Sequence, residues 1–345
     1  MTKGQGPGAP AGESVPASGA GAPAAARPPG GGAFTLEARP APGLYLVGWL
    51  LSVFGLGLAL VGLMGAAPLL TVVGLLLLGV GLAAAAGYQI VARRGRPADT
   101  YRGPAPLLLF ALVVVFVTLL GALIAVLTGS TDLAVDQPDV FLVGLLIQVV
   151  GYVGLVAVFV VGPRALTWSE IANARPGRRL EPAADVLFAG ALMVPLTLIA
   201  IVGGGLLGLL LGVDPDPVLP VPESGTDVAM LVVAAVVLAP VGEEIFFRGF
   251  ALSAWLRDLG ERTALIRSAV FFALIHILTL QATPGAFDNA LKQALLMTAI
   301  ILPLGFVLGW LYLRRGLLAA IAGHATYNGI VLALFIVGQQ LLRAG

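Results

Sequence analysis

The chain contains no cysteine, which removes disulfides, thiolate metal ligands and a cysteine nucleophile together, without fixing a redox compartment. Charge is almost as scarce: Asp, Glu, Lys and Arg make up 11% of the 345 residues, where soluble domains carry about a quarter. Histidine occurs only twice. A chain that is 59% hydrophobic, with a mean hydropathy of +1.00, has more apolar surface than a water-soluble core of its size can bury, so lipid is the expected solvent. The formal net charge of +1 says little as a total, and the placement of the charges says more.

Residues 1–42 are mostly Gly, Ala and Pro with scattered Ser and no apolar run. Such a composition cannot offset the entropy of ordering, and a disordered cytoplasmic tail is expected. No apolar segment follows the charged start, so no signal peptide is expected and the first span serves as its own insertion signal. Nine apolar blocks come next, at 44–64, 67–92, 105–128, 140–162, 184–212, 227–257, 262–280, 290–313 and 317–342. They are continuously apolar rather than alternating with period two, which excludes a membrane β-barrel and leaves helices. The expected fold class is all-α: a polytopic transmembrane helical bundle of about nine spans behind a disordered N-terminal tail. Its expected organisation is the tail at 1–42, an N-terminal transmembrane region at 43–183 with no assigned role, and a C-terminal bundle at 184–345 whose chemistry lies within 225–335. In the fifth block Gly204, Gly208 and Gly212 recur every four residues, a row expected to admit a neighbouring helix closely.

Arginine and lysine concentrate in cytoplasmic loops. Arg93, Arg94, Arg96 and Arg102 follow the second block; Arg164, Arg175, Arg178 and Arg179 the fourth; Arg257 and Arg262 the sixth; Arg314 and Arg315 the eighth. The intervening loops are acidic or bare, with Asp132, Asp136 and Asp139 after the third block and Asp214, Asp216 and Glu223 after the fifth. Nine crossings, with the N-terminus cytoplasmic and the C-terminus outside, satisfy these loops, and the plasma membrane is the expected location. Trp168 is expected on a short interfacial helix, and Trp310 with Tyr312 in an aromatic belt.

An ionisable residue inside a span costs about 2.5–3.5 kcal/mol on insertion scales, so each one is a functional candidate. They cluster here. The sixth block holds Glu243, Glu244 and Arg248, the seventh Phe272 and His276, and the ninth His324 and Asn328. Glu244 and Arg248 are four apart and share a helical face, while Glu243 points about 100° away and stays out of that ion pair. A turn at Gly260 makes an antiparallel hairpin of the sixth and seventh blocks. Glu243 lies 17 residues before it (260−243) and His276 lies 16 after it (276−260), so the two belong at one depth. His324 and Asn328, again four apart, form a second polar stripe.

A carboxylate beside a histidine in a partly dry site can activate water, and a second histidine with an amide can donate to the oxyanion of a scissile carbonyl. The set suffices for peptide-bond hydrolysis with no covalent intermediate and no cofactor. Ser253 and Ser268 lack the Gly-x-Ser-x-Gly setting of a nucleophile and read as packing residues. The same residues also admit a zinc site with Glu243, His276 and His324 as ligands, although no His-Glu-x-x-His pair is present.

These positions resemble the type II CAAX prenyl protease and bacteriocin-processing (CPBP) family of intramembrane glutamic endopeptidases. Its pattern is Glu-Glu-x-x-x-Arg, Phe-x-x-x-His and His-x-x-x-Asn, in that order. Here the three motifs are Glu243-Glu244-x-x-x-Arg248, Phe272-x-x-x-His276 and His324-x-x-x-Asn328. The resemblance, over about residues 225–335, implies that Glu243 activates water, His276 assists it, His324 and Asn328 stabilise the oxyanion, and Glu244 and Arg248 support the site. It implies a peptide or protein substrate, in some relatives lipid-modified, met in the bilayer, and no nucleic acid partner. A non-catalytic scaffold or immunity protein using the same cavity is the competing reading. A proton-coupled transporter is a third, disfavoured because no paired repeats or broken helices occur in matching halves.

Overall fold

The computed structural model describes residues 36, 39–128, 137–175, 181–213, 219–277, 280 and 287–344. The stretch read as a disordered tail lies almost wholly outside them, as do Asp132, Asp136, Arg178, Arg179, Asp214 and Asp216. Of the chain's two compact units, 1–39 and 40–345, all the elements below belong to the second.

The described residues form helices and no strands. In chain order these are α1 (Pro42–Met64), α2 (Pro68–Arg93), α3 (Pro106–Thr128), α4 (Pro138–Val161), the short α5 (Trp168–Ala172), α6 (Pro182–Leu211), α7 (Gly225–Leu259), α8 (Glu261–His276), α9 (Phe287–Arg315) and α10 (Leu317–Ala344). Five begin on proline, whose fixed φ suits a first helical turn and whose missing N–H costs nothing there. Gly260 and Gly316, at φ 77° and 82°, make the one-residue turns before α8 and α10, a backbone that a Cβ would strain.

Among the described residues, eight helices are long and apolar enough to cross a membrane: α1, α2, α3, α4, α6, α7, α9 and α10. The seventh apolar block folds as α8, whose 16 residues rise about 24 Å at 1.5 Å each, against a hydrocarbon layer of about 30 Å. The nine blocks thus become eight full-length helices and one shorter helix, hairpinned to α7. The chain is an integral membrane protein.

The α1–α2 hairpin packs backbone on backbone. A Cβ on Gly62 would lie 2.5 Å from the Thr71 nitrogen, one on Gly55 2.3 Å from that of Leu78, and one on Gly81 2.4 Å from that of Ser52. Lipid tails are as apolar as leucine, so close van der Waals packing of this kind is what joins the pair. The four-residue row in α6 behaves differently from expectation. Gly204 does receive Ile300 of α9, but Gly212 ends the helix at φ 64° and so serves as a cap, because the chain must turn there.

α7 is the central helix, touching α4, α8, α9 and α10. Its Phe246, Phe247 and Phe250 are fully buried and meet Phe110, Tyr152, Phe271 and Phe272 in tilted and edge-to-face pairs with centroids 4.8 to 6.2 Å apart. Such pairs contribute about 0.5–1.5 kcal/mol each beyond their area.

The basic loops meet at one end of the bundle and are partly paired there by Arg96–Asp258 (3.3 Å), Arg257–Glu170 (2.5 Å), Arg175–Glu261 (2.5 Å), Arg314–Glu261 (3.5 Å) and Arg315–Asp185 (2.9 Å). Trp168 opens α5 and is exposed; Thr167 caps this helix through a capping box with Glu170. Tyr312 is no belt residue. It is 1% exposed, its hydroxyl is 2.7 Å from Ser253 Oγ, and it donates toward the carbonyls of Glu170 and Ile171, tying α9 to α5 and α7. An aromatic near basic residues reads as interfacial in sequence, and only tertiary packing shows otherwise. Ser253 and Ser268 are both buried packing residues, the latter donating to the Phe247 carbonyl at 3.4 Å.

Candidate active site

α7 changes pitch around its acidic pair. It is π-helical over 232–238, α-helical over 239–244, and π-helical again over 245–252. The wider turn is rare and concentrates at functional sites, because it re-aims side chains and loosens the backbone ladder. Pro240 has no N–H to give the preceding turn, and its ring crowds the carbonyl four residues back, which the wide turn accommodates. Glu243 and Glu244 therefore stand on a short α-helical step between two wide turns. Gly242 lets α4 close on this step: a Cβ there would lie 2.7 Å from Val149 Cγ2 and 3.3 Å from its Cα.

Glu244 and Arg248 form the pair that their spacing predicts, with Nη1 of Arg248 2.8 Å from Oε1 of Glu244 and both side chains fully buried. Arg248 also donates to the Gly305 carbonyl of α9 at 3.4 Å, and its guanidinium lies 3.9 Å over the ring of Phe272. His324 adds a contact that spacing does not reveal: its Nδ1 is 2.8 Å from the same Oε1 of Glu244. Glu244 is thus the hub of α7 and α10. Removing Arg248 would leave a carboxylate without its charge partner in a dry interior, at a cost of about 3–5 kcal/mol for a buried pair.

Glu243 faces α8. Its Oε2 is 4.0 Å from Nε2 of His276. Nδ1 of His276 is 2.7 Å from the Phe272 carbonyl, which can only accept, so Nδ1 carries a proton. In the neutral ring, Nε2 then presents its lone pair toward Glu243. Phe272 packs edge-on against both histidines, with centroids 4.5 Å from His276 and 5.8 Å from His324. Asn328 donates from Nδ2 to the Ala235 carbonyl at 2.7 Å, in the first π-helical segment, and keeps its second N–H. Oε2 of Glu243, Oε2 of Glu244 and Nε of Arg248 are buried without a hydrogen-bond partner among the described residues. Three orphaned polar atoms in one cluster are what a site built to hold water or substrate shows.

Six of the seven residues singled out from the sequence are joined by these contacts, drawn from α7, α8 and α10; the seventh, Asn328, lies one turn along α10 from His324 and bonds to Ala235. No group of three His, Asp or Glu side chains among the described residues is arranged to hold a metal ion, the set Glu243, His276 and His324 included. Sequence reasoning missed α4. There Tyr152 is 2% exposed, packs on Phe246 at 4.8 Å and accepts a hydrogen bond from Gln148 at 3.1 Å. A glutamine four residues before a tyrosine inside an apolar block was the available signal.

Residues 225–330 match the family model of the type II CAAX prenyl endopeptidase Rce1-like proteins. That segment belongs to this family. No curated protein and no solved structure matches the chain. The Rce1-like segment comprises α7, α8, α9 and the first half of α10, and contains every residue of the three motifs. A protease family in a membrane-embedded helical bundle implies a protein substrate met at the bilayer. α1 to α6 lie outside the match, yet α4 closes one wall of the cluster at Gly242.

Proposed function

We propose that the chain is a glutamic intramembrane endopeptidase that hydrolyses a peptide bond of a membrane-associated or lipid-modified substrate. The observation that carries this reading is the 4.0 Å gap between Oε2 of Glu243 and Nε2 of His276. Both atoms accept, and two acceptors at that separation suit one water donating to each over hydrogen bonds of about 2.8 Å. Glu243 takes a proton from that water as its oxygen attacks the scissile carbonyl carbon, and His276 holds the other proton in place. The charge that develops on the carbonyl oxygen falls to the second N–H of Asn328 and to His324, which Glu244 holds through Nδ1. Collapse of the tetrahedral species breaks the C–N bond as Glu243 returns its proton to the leaving amine. Glu244 and Arg248 hold His324 in register throughout.

The basic end of the bundle, joined by its ion pairs, is assigned to the cytoplasm on the rule that arginine stays inside. The site is then reached from the inner leaflet of the plasma membrane, with the N-terminus cytoplasmic and the C-terminus outside. A cavity of about 270 Å³ opens between α6 and α9, walled by Gly203, Gly204, Ile300 and Pro303 and by Tyr327 of α10; none of the seven site residues lines it. Its apolar walls suit the hydrocarbon of a lipid-bearing substrate.

The test is cleavage of a quenched fluorescent peptide carrying a farnesylated cysteine, by protein purified in detergent. Wild type should cleave, and Glu243→Ala, His276→Ala and His324→Ala should each lose activity. Cleavage retained by the triple variant would overturn the reading. Activity that survives strong chelators without stoichiometric zinc separates the carboxylate route from a metal route. A cellular phenotype rescued equally by Glu243→Gln and wild type would point instead to a non-catalytic scaffold.

A further inference from the structure

We infer that the pocket where α2, α3, α7 and α8 meet, at the basic end of the bundle, holds the phosphate of an anionic phospholipid. The inference is independent of the protease reading, because it concerns residues outside that site and its test needs no turnover.

The pocket, of about 180 Å³, is lined by Arg93 of α2, Tyr101 just before α3, Leu107 of α3, Trp255 and Asp258 of α7, and Arg267 of α8. Its acid is already engaged. Oδ1 of Asp258 accepts from the Tyr101 N–H at 3.1 Å and from Arg96 at 3.3 Å, and Oδ2 accepts from Arg96 at 3.4 Å. Arg93 gives Nη1 to the Gly103 carbonyl and keeps its other N–H donors. Two cations, Arg93 and Arg267, therefore share the pocket with a carboxylate that is spent elsewhere.

Arg267 decides what kind of anion belongs there. It is an ionisable residue of the seventh apolar block that the acidic site does not use, six residues into α8 (267−261), or about 9 Å from its start. Its guanidinium lies 5.4 Å from the ring centre of Trp255, which in turn packs edge-on to Phe271 at 5.7 Å. It has no ion-pair or hydrogen-bond partner among the described residues. A contact through the face of the guanidinium leaves the N–H groups in its plane free to bind an oxyanion.

The side chain is exposed, and Val270 and Leu274, three and seven residues further on, share its face and are exposed too. α8 thus presents to the bilayer an apolar strip with an unpaired cation at its basic end. Leu107 adds a second exposed apolar edge on α3. A cation so placed costs free energy unless an anion meets it. A phospholipid supplies both halves of the match, a phosphate at the level of the arginines and acyl chains along the strip. Two cations beside a spent acid favour a headgroup of net negative charge over one that carries a cation of its own.

The test titrates the full chain, purified in detergent, with phosphatidylglycerol, with phosphatidylcholine of the same acyl chains, and with inorganic phosphate. Binding is read by native mass spectrometry and by the unfolding midpoint. Phosphatidylglycerol should bind about tenfold more tightly than phosphatidylcholine and raise the midpoint, while inorganic phosphate at the same concentration leaves it unmoved. Arg93→Gln combined with Arg267→Gln should weaken phosphatidylglycerol binding by about tenfold and abolish the preference, as for lost charge-assisted contacts. Arg94→Gln combined with Arg262→Gln, two exposed arginines of the same end that lie outside the pocket, should retain it. Equal loss in both double variants would show diffuse surface attraction and overturn the inference. Phosphatidylcholine binding equally well, or inorganic phosphate giving the same shift, would overturn it too. Should the first double variant fail to fold, Arg267→Gln alone breaks no hydrogen bond among the described residues and should weaken phosphatidylglycerol binding severalfold; unchanged binding would count equally against it.

Discussion

The α1–α2 hairpin and the α7–α8–α10 cluster solve the same problem, joining helices in a solvent that offers no hydrophobic reward, by opposite means. The hairpin uses the smallest side chains. Gly48, Gly55 and Gly62 on α1 and Gly74 and Gly81 on α2 recur every seven residues and bring backbones together, while Leu63, Met64 and Leu69 face outward. The cluster uses large aromatics and buried charge, with the helix itself widened at two places to fit them. A hairpin of the first kind is cohesive but chemically mute. The second kind holds reactive groups because the Glu244–Arg248 pair and its contact with His324 fix the helices while leaving atoms over for water or substrate.

The sharpest break between the two regions is catalytic. Glu243→Gln should lower kcat by about 10²–10⁴, the range for losing a general base, while the thermal unfolding midpoint in detergent stays near that of wild type. The next largest effect concerns stability. Arg248→Met leaves Glu244 buried with His324 as its remaining partner and should cost about 3–5 kcal/mol, read as a lower unfolding midpoint. Adding Glu244→Gln should recover part of that loss, because it removes the stranded charge, yet should not restore cleavage, because His324 loses its anchor.

Much of this cluster could be read without coordinates. Counting 17 and 16 residues from Gly260 placed Glu243 and His276 at one depth, and the structure sets them 4.0 Å apart. The four-residue spacing of Glu244 and Arg248 became a 2.8 Å contact. The all-α bundle followed from unbroken apolar blocks. Hydropathy carries no record of hydrogen-bond register, so the π-helical turns beside the acidic pair were invisible. Contacts between distant helices, such as Glu244 with His324 or Tyr312 with Ser253, depend on rotations that no local spacing fixes. The seven-residue glycine row of the hairpin lies inside unbroken apolar blocks, where spacing alone does not say which glycines meet a partner helix. Gly212 fitted such a row in sequence and became a helix cap in the structure, because α6 ends there.

Overpacking tests the hairpin side of the comparison. A Cβ on Gly74 would sit 2.2 Å from the Ala59 nitrogen, so Gly74→Val must push α1 from α2. It should destabilise the protein by about 1–3 kcal/mol, visible in the unfolding midpoint and in Trp49 fluorescence on α1, with kcat unchanged in the folded fraction. A fall in kcat would show that the hairpin reaches the site and would erase the division drawn above.

The smallest effect separates buried charge from charge at the bundle end. Glu170, on α5, is partly exposed. Burial alone would raise its carboxyl, but hydrogen bonds from Thr167 and the Arg257 guanidinium hold it below its ordinary value of 4.5. A depressed carboxylate contributes stability that is present above the unfolded-state pKa and is lost as pH falls through the lower folded-state value. Unfolding midpoints of wild type and Glu170→Gln should therefore differ by no more than about 1 kcal/mol at neutral pH, as for exposed pairs, and converge below 4.5. Added salt should shrink the neutral-pH difference, since ions screen an exposed pair, and should leave the penalty of Arg248→Met almost untouched because that pair is shielded from solvent. Equal salt sensitivity in the two variants would mean that the Glu244 site is wetter than its burial implies.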